Sequence, residues 1–182
     1  MHRGDWLTDQ IRKFDQLRGR RIESWTGVEM ALREDVGGSP RFEDATVPFL
    51  QLAPLTARLD DGTFFTVDTD QGDRSWGLLP NPGAPGTSTD PGGIFRLRSL
   101  PELPLGEVDA VSAFLDDDVL AEVLIRIQGR SLLLMAGEVY EQWDGGLSFV
   151  RHDESVLVFT DPSAAESIDW LPERRKRDFG QR

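Results

Sequence analysis

Apolar residues recur along this chain at two different periods, and the change of period organises it. Leu7, Ile11, Phe14 and Leu17 fall at steps of four, three and three, so one apolar stripe predicts a helix over residues 5–18. Asp5 or Thr8 would cap its start and Gly19 would end it. A helix of that length is marginal alone in water, so the stripe must dock on something larger. After Gly19 the pattern alternates. Arg20–Leu32 predicts one or two strands, residues 33–45 a loop, and Phe49–Leu52 a short strand. Leu55–Leu59 and Thr63–Asp68 flank Asp60-Asp61-Gly62, which predicts a hairpin with a type I′ turn, since Asp-Gly tolerates positive φ at both central positions. Ser75–Leu79 reads as a further strand.

Residues 81–93 are too rich in Pro and Gly for a packed element and read as a linker. Beyond it, Ile94–Arg98 and Val108–Leu115 read as strands. Ala121–Ile127 and Arg130–Tyr140 form a hairpin around Gln128-Gly129, and Leu147–Val150 and Ser155–Phe159 form another. Asp161-Pro162-Ser163 opens a short helix with Pro at its first position. The fold class is therefore mainly β (α+β): an N-terminal helix (1–19) on antiparallel sheets, a first β lobe (20–80), the linker (81–93), a second β lobe with the short helix (94–172), and a basic tail (173–182). The Leu55–Val67 hairpin can be laid over Val123–Met135, each with an Arg before the turn and a Gly in it, which points to an internal duplication of the lobes.

Charge and composition narrow the function. The 182 residues carry a net charge of −12, which disfavours a phosphate backbone and attracts cationic partners. Most of it lies in Glu102–Asp169, where 15 acidic residues face only Arg126, Arg130 and Arg151. The basic residues gather at the ends, and those near residue 175 are expected to fray in solvent. The chain holds no cysteine, so disulfides, thiolate catalysis and thiolate metal sites are excluded. No signal-peptide run opens the sequence and no apolar stretch reaches the ~20 residues of a membrane helix. That predicts a cytoplasmic protein with no membrane contact.

Catalytic signals are sparse. His2 and His152 are the only histidines, there is no Gly-x-Ser-x-Gly, and no phosphate-binding glycine loop precedes Lys-Ser/Thr. His152-Asp153-Glu154 would need further ligands to hold a metal, and Asp116-Asp117-Asp118 lacks the spacing of a calcium loop. The expectation is no metal, no cofactor and no enzyme activity. Trp143 stands out, because it follows Glu141-Gln142 and precedes Asp144-Gly145-Gly146, a turn with no sheet face over it. Aromatic residues at such places suit protein interfaces. The expected partner-binding residues are Asp116, Asp117, Asp118, Trp143, Asp144, Asp153 and Glu154, and the expected partner is a basic protein.

The run Gly129–Tyr140, followed by Asp153–Phe159, resembles small uncharacterised acidic β-rich proteins of high-GC bacteria. In size, acidity and lack of a catalytic motif the chain also resembles immunity proteins of polymorphic toxin systems. That resemblance implies an inhibitor of a basic toxin and carries no residue with it. The alternatives are an assembly subunit of a bacterial complex, and a small-ligand-binding β protein or enzyme using carboxylates.

Overall fold

A computed structural model describes residues 2–179. Helix α1 spans Arg3–Asp15, two residues earlier than the periodicity predicts at its start. Its first turn is preceded by His2, with no side-chain cap, in place of the expected Asp5 or Thr8. The stripe behaves as its spacing requires: Leu7, Phe14 and Leu17 are buried and Ile11 is partly so. Gly19 takes a φ of 73° in the turn that follows, and its N–H bonds Val108 O at 2.9 Å.

Thirteen strands follow among the described residues. They are β1 (Arg21–Met30), β2 (Arg33–Glu34), β3 (Pro40–Arg41), β4 (Leu50–Leu59), β5 (Phe64–Gln71), β6 (Trp76–Pro82) and β7 (Phe95–Ser99). Beyond these lie β8 (Gly106–Asp116), β9 (Val119–Ile127), β10 (Arg130–Glu141), β11 (Leu147–Arg151), β12 (Ser155–Phe159) and β13 (Trp170–Leu171). β2 and β3 form a miniature hairpin inside the segment expected to be a loop. The remaining eleven share one sheet.

Six of the eleven close on themselves. β1 pairs β8, β8 pairs β9, β9 pairs β10, β10 pairs β12, β12 pairs β4, and β4 returns to β1, every pair antiparallel. Closure gives each ring strand a partner on both sides, and leaves the sheet's free edges to the short or peripheral β6, β7 and β13. The long strands outrun the ring and recruit flanking ribbons: β5 and β6 on β4, β7 on β1, and β11 with its parallel partner β13 on β10. The expected ranges 20–80 and 94–172 thus share one hydrogen-bonded system.

Two apolar clusters fill it. One takes side chains from all six ring strands, among them Trp25, Leu55, Val111, Ile125, Leu134 and Val158, together with the stripe of α1. The other lies on the opposite face of β9, β10 and β12, where Phe49, Phe159 and Trp170 pack within 6.3 Å of one another, ring centre to ring centre. A 3-10 helix, Pro162–Ser167, covers this second cluster, and the Asp161 carboxylate accepts the Ser163 N–H at its start.

The two hairpins proposed as repeats turn differently. Gln128 and Gly129 both have positive φ, 47° and 76°, which is the two-residue I′ geometry. At Asp60-Asp61-Gly62 only Gly62 does, at 81°, and the Leu59 N–H bonds Thr63 O across a three-residue loop. The type I′ turn expected at Asp61-Gly62 is therefore absent. The extra residue is accommodated by a left-handed glycine after an ordinary turn. The Pro/Gly segment after β6 is held rather than free, since Thr66 Oγ1 donates to Ala84 O at 2.7 Å.

Candidate functional site

The seven acidic and aromatic residues singled out from the sequence occupy three places. Asp116 ends β8 and is buried; Asp117, with a φ of 52°, and Asp118 make the turn into β9. Asp153 and Glu154 sit in the turn between β11 and β12. Trp143 and Asp144 form the turn between β10 and β11. The first two places adjoin, because His152 Nε2 lies 3.1 Å from Asp116 Oδ2. The third lies at the opposite end of β11, whose five residues span about 17 Å.

Asp116 belongs to an internal ion network. Arg151 bonds it directly, Arg177 reaches its other oxygen at 2.5 Å, and His152 completes the set. The guanidinium partners outweigh the cost of burial and hold its carboxyl down to about 2. Beside it Glu122, wholly buried, receives two bonds of 2.9 Å from Arg174, which also bonds Glu166 at 2.9 Å. Arg174 stacks over Phe179 and Arg177 over Phe114. The expectation that the basic tail frays is overturned for the described residues. Arg174 and Arg177 are drawn in because two buried carboxylates would otherwise share the single guanidinium of Arg151. Gly180 onward lies outside the described residues.

His152 and Asp116 form the carboxylate–imidazole pairing a catalytic dyad uses, set inside this ion network. Asp116 already carries two guanidiniums, and burial pushes His152 below its ordinary value, so the imidazole is neutral near pH 7. Among the described residues the imidazole's one side-chain hydrogen bond is to Asp116. The side chains of His152, Asp153 and Glu154 also diverge. Asp153 turns away from His152 and accepts from Tyr140 Oη at 2.8 Å. Asp118 is engaged with Arg3 at 2.7 Å, beside a cavity of about 460 Å3 lined by Trp6, Gly72 and Leu120.

The Trp143 end is built differently. Trp143 is 98% exposed and Val36, at the tip of the β2–β3 hairpin, is fully so. The bases of these two turns are tied together. Arg33 donates to Gly145 O, and the Glu34 N–H bonds Glu141 Oε2 at 3.2 Å. Arg33 is itself fixed by Asp44 at 2.6 Å. Asp44 also accepts from both the hydroxyl and the N–H of Thr46, and these bonds hold its carboxyl down to about 2. Asp144 serves the turn, accepting the Gly146 N–H at 2.9 Å. Ile94 and Tyr140, both more than a third exposed, line a small cavity with Met30, Leu32, Val139 and Glu138; it runs from Glu34 and Glu141 at this end to Glu138, which pairs with Val150 toward the far end of β11. The result is a fixed turn that carries an uncovered indole with acidic groups about it.

Several of these residues were missed in the sequence. Val36 and Ile94 lie in segments that the sequence predicts as a loop and an ordinary strand. Glu138 had a readable signal: in Leu132-Leu134-Ala136-Glu138, alternation puts it on the same face as three buried apolar side chains. No family model, no curated protein and no solved structure matches this chain.

Proposed function

We propose that this protein binds a cationic protein partner through the end where the β10–β11 and β2–β3 turns meet, and that it inhibits that partner in the manner of an immunity protein. The observation that carries the reading is Trp143, a large aromatic side chain left uncovered on a turn that hydrogen bonds hold in place. Preorganised aromatic anchors dominate interface energetics because little entropy is lost when they are covered. Val36, Ile94 and Tyr140 extend the apolar area, and Glu34, Asp35, Glu141 and Asp144 surround it. The net charge of −12 would steer a basic partner toward the molecule, a contribution that salt weakens.

The test is affinity capture from the source cells at low salt with the wild-type chain and Trp143→Ala side by side. Any recovered protein is then purified and titrated against both. The reading expects a basic partner whose affinity falls at least tenfold with Trp143→Ala and falls again at high salt. A partner indifferent to Trp143, or an acidic one, would refute it.

A further inference from the structure

Four carboxylate side chains are buried among the described residues: Glu29, Asp116, Glu122 and Glu138. Three have guanidinium partners. Glu29 holds Arg96 at 2.8 Å and Arg98 at 3.1 Å, Asp116 holds Arg151 and Arg177, and Glu122 holds Arg174. Glu138, only 7% exposed, has no ion pair among the described residues. Its hydrogen-bond partners are Tyr140 Oη at 3.3 Å and the Asp153 carboxylate, itself an acid, to which the Tyr140 hydroxyl also donates at the shorter 2.8 Å.

The surroundings make the deficit sharper. Glu138 lies on β10 opposite Val150 of β11, and the turn after β11 brings Asp153 and Glu154 toward it. Burial first, and then these two carboxylates, push Glu138 up to about 7. Across the cavity, the β1–β2 segment offers Glu34 and Arg33, and β10 itself offers Glu141. Among the described residues Arg33 is the one cation lining the space; it is committed to Asp44 and Gly145 O and only loosely approaches Glu141, at 3.7 Å. The cavity holds about 230 Å3, below the ~300–1,000 Å3 of small-molecule pockets. Apolar side chains make much of its wall, and its three carboxylates, Glu34, Glu138 and Glu141, outnumber the one lining guanidinium, so its shape and charge fit a single long cationic side chain.

We propose that this cavity receives a lysine or arginine side chain of the partner. The aliphatic stem would lie against Met30, Leu32, Ile94 and Val139, and the charged head would reach Glu138 and Glu141. The inference rests on the reading that this end of the molecule is the partner surface, and it names the chemistry recognised there. Seating a cation favours the ionised carboxylate, so Glu138 releases its proton to solvent on binding and association strengthens as pH rises from 6 to 8.

The experiment follows the Glu138 side-chain carboxyl by 13C NMR across pH, with N-acetyl-arginine amide, N-acetyl-lysine amide or the neutral N-acetyl-citrulline amide added at millimolar levels. A ligand this small binds weakly, which sets the concentration. The expected result is that one or both cationic amides lower the Glu138 midpoint by about one pH unit, tenfold in proton affinity. Shifts should centre on the amides of Val139, Tyr140 and Glu141. Citrulline amide should do neither, and Glu138→Gln should abolish the localised shifts. The two cationic arms decide between guanidinium and ammonium. Equal effects from citrulline amide, no effect from any, or shifts spread over the acidic surface and unchanged in Glu138→Gln would overturn the inference. Should that happen while a partner still depends on Trp143, only the cavity's role falls. Loss of the Trp143 dependence removes the surface itself.

Discussion

The Asp116–Glu122 network and the Glu138 cavity are both buried acidic sites, and they resolve the same physical problem in opposite ways. At the first, three arginines arrive from elsewhere in the chain, Arg151 from β11 and Arg174 and Arg177 from the segment after β13. Asp116 stays ionised and is held down to about 2. At the second no cation arrives, and Glu138 is pushed up to about 7, retaining its proton close to neutrality. Burial opposes charge at both; the difference is whether the fold supplies a counter-ion. Charge that is answered inside the molecule holds it together, whereas charge left unanswered beside an exposed aromatic surface is available to something outside.

The comparison breaks most visibly at Arg174. Arg174→Ala leaves Glu122 with only its longer contacts to Arg151 and Arg177, at 3.7 and 3.6 Å, and is expected to lower stability by about 3–5 kcal/mol in urea unfolding. Next comes Glu138. Between its ordinary 4.5 and about 7 the folded chain holds a proton the unfolded chain has released, so stability falls as pH rises through that window and is level above it. Glu138→Gln removes the penalty. Denaturation at pH 8 should find the variant more stable by about 2–3 kcal/mol, with little difference at pH 4.

Asp116 has the opposite sign. Its depressed value stabilises the fold above 3.8, and that contribution, about 2 kcal/mol, is lost as pH falls toward 2. Asp116→Asn should flatten the acid limb of the stability curve over that range while lowering stability at pH 7. The smallest effect on stability is expected at Trp143, where Ala should change the unfolding midpoint by less than about 0.5 kcal/mol, since the indole covers nothing in its own chain. Partner affinity is the measurement in which that substitution should matter.

Much of the fold was legible because it is written in short-range periods. The stripe from Leu7 to Leu17, the hairpin around Gln128-Gly129 and the Pro162 helix start each depend on neighbours a few residues apart. The candidate site was legible in part for the same reason. Trp143 was recognisable from the turn residues beside it. Asp116 was not separable from Asp117 and Asp118 by composition, although one is internal and the others occupy the turn. Its fate depends on Arg151 and Arg177, 35 and 61 residues away. Glu138 was passed over because one acid among many gives no sign of burial until alternation is followed along the whole of β10.

Sequence alone therefore determined most of the longer elements, their order and the acidic character, since propensity, period and formal charge are local properties; the short β2, β3 and β13, and the separation of β11 from β12, were not legible. Ring closure came from tertiary structure, because the pairing of β4 with β12 joins strands about 100 residues apart that no local pattern links. So did the division of the carboxylates into paired and unpaired. Whether a buried charge is neutralised depends on which distant side chains the folded backbone brings within a few ångströms, and only the packed chain decides that.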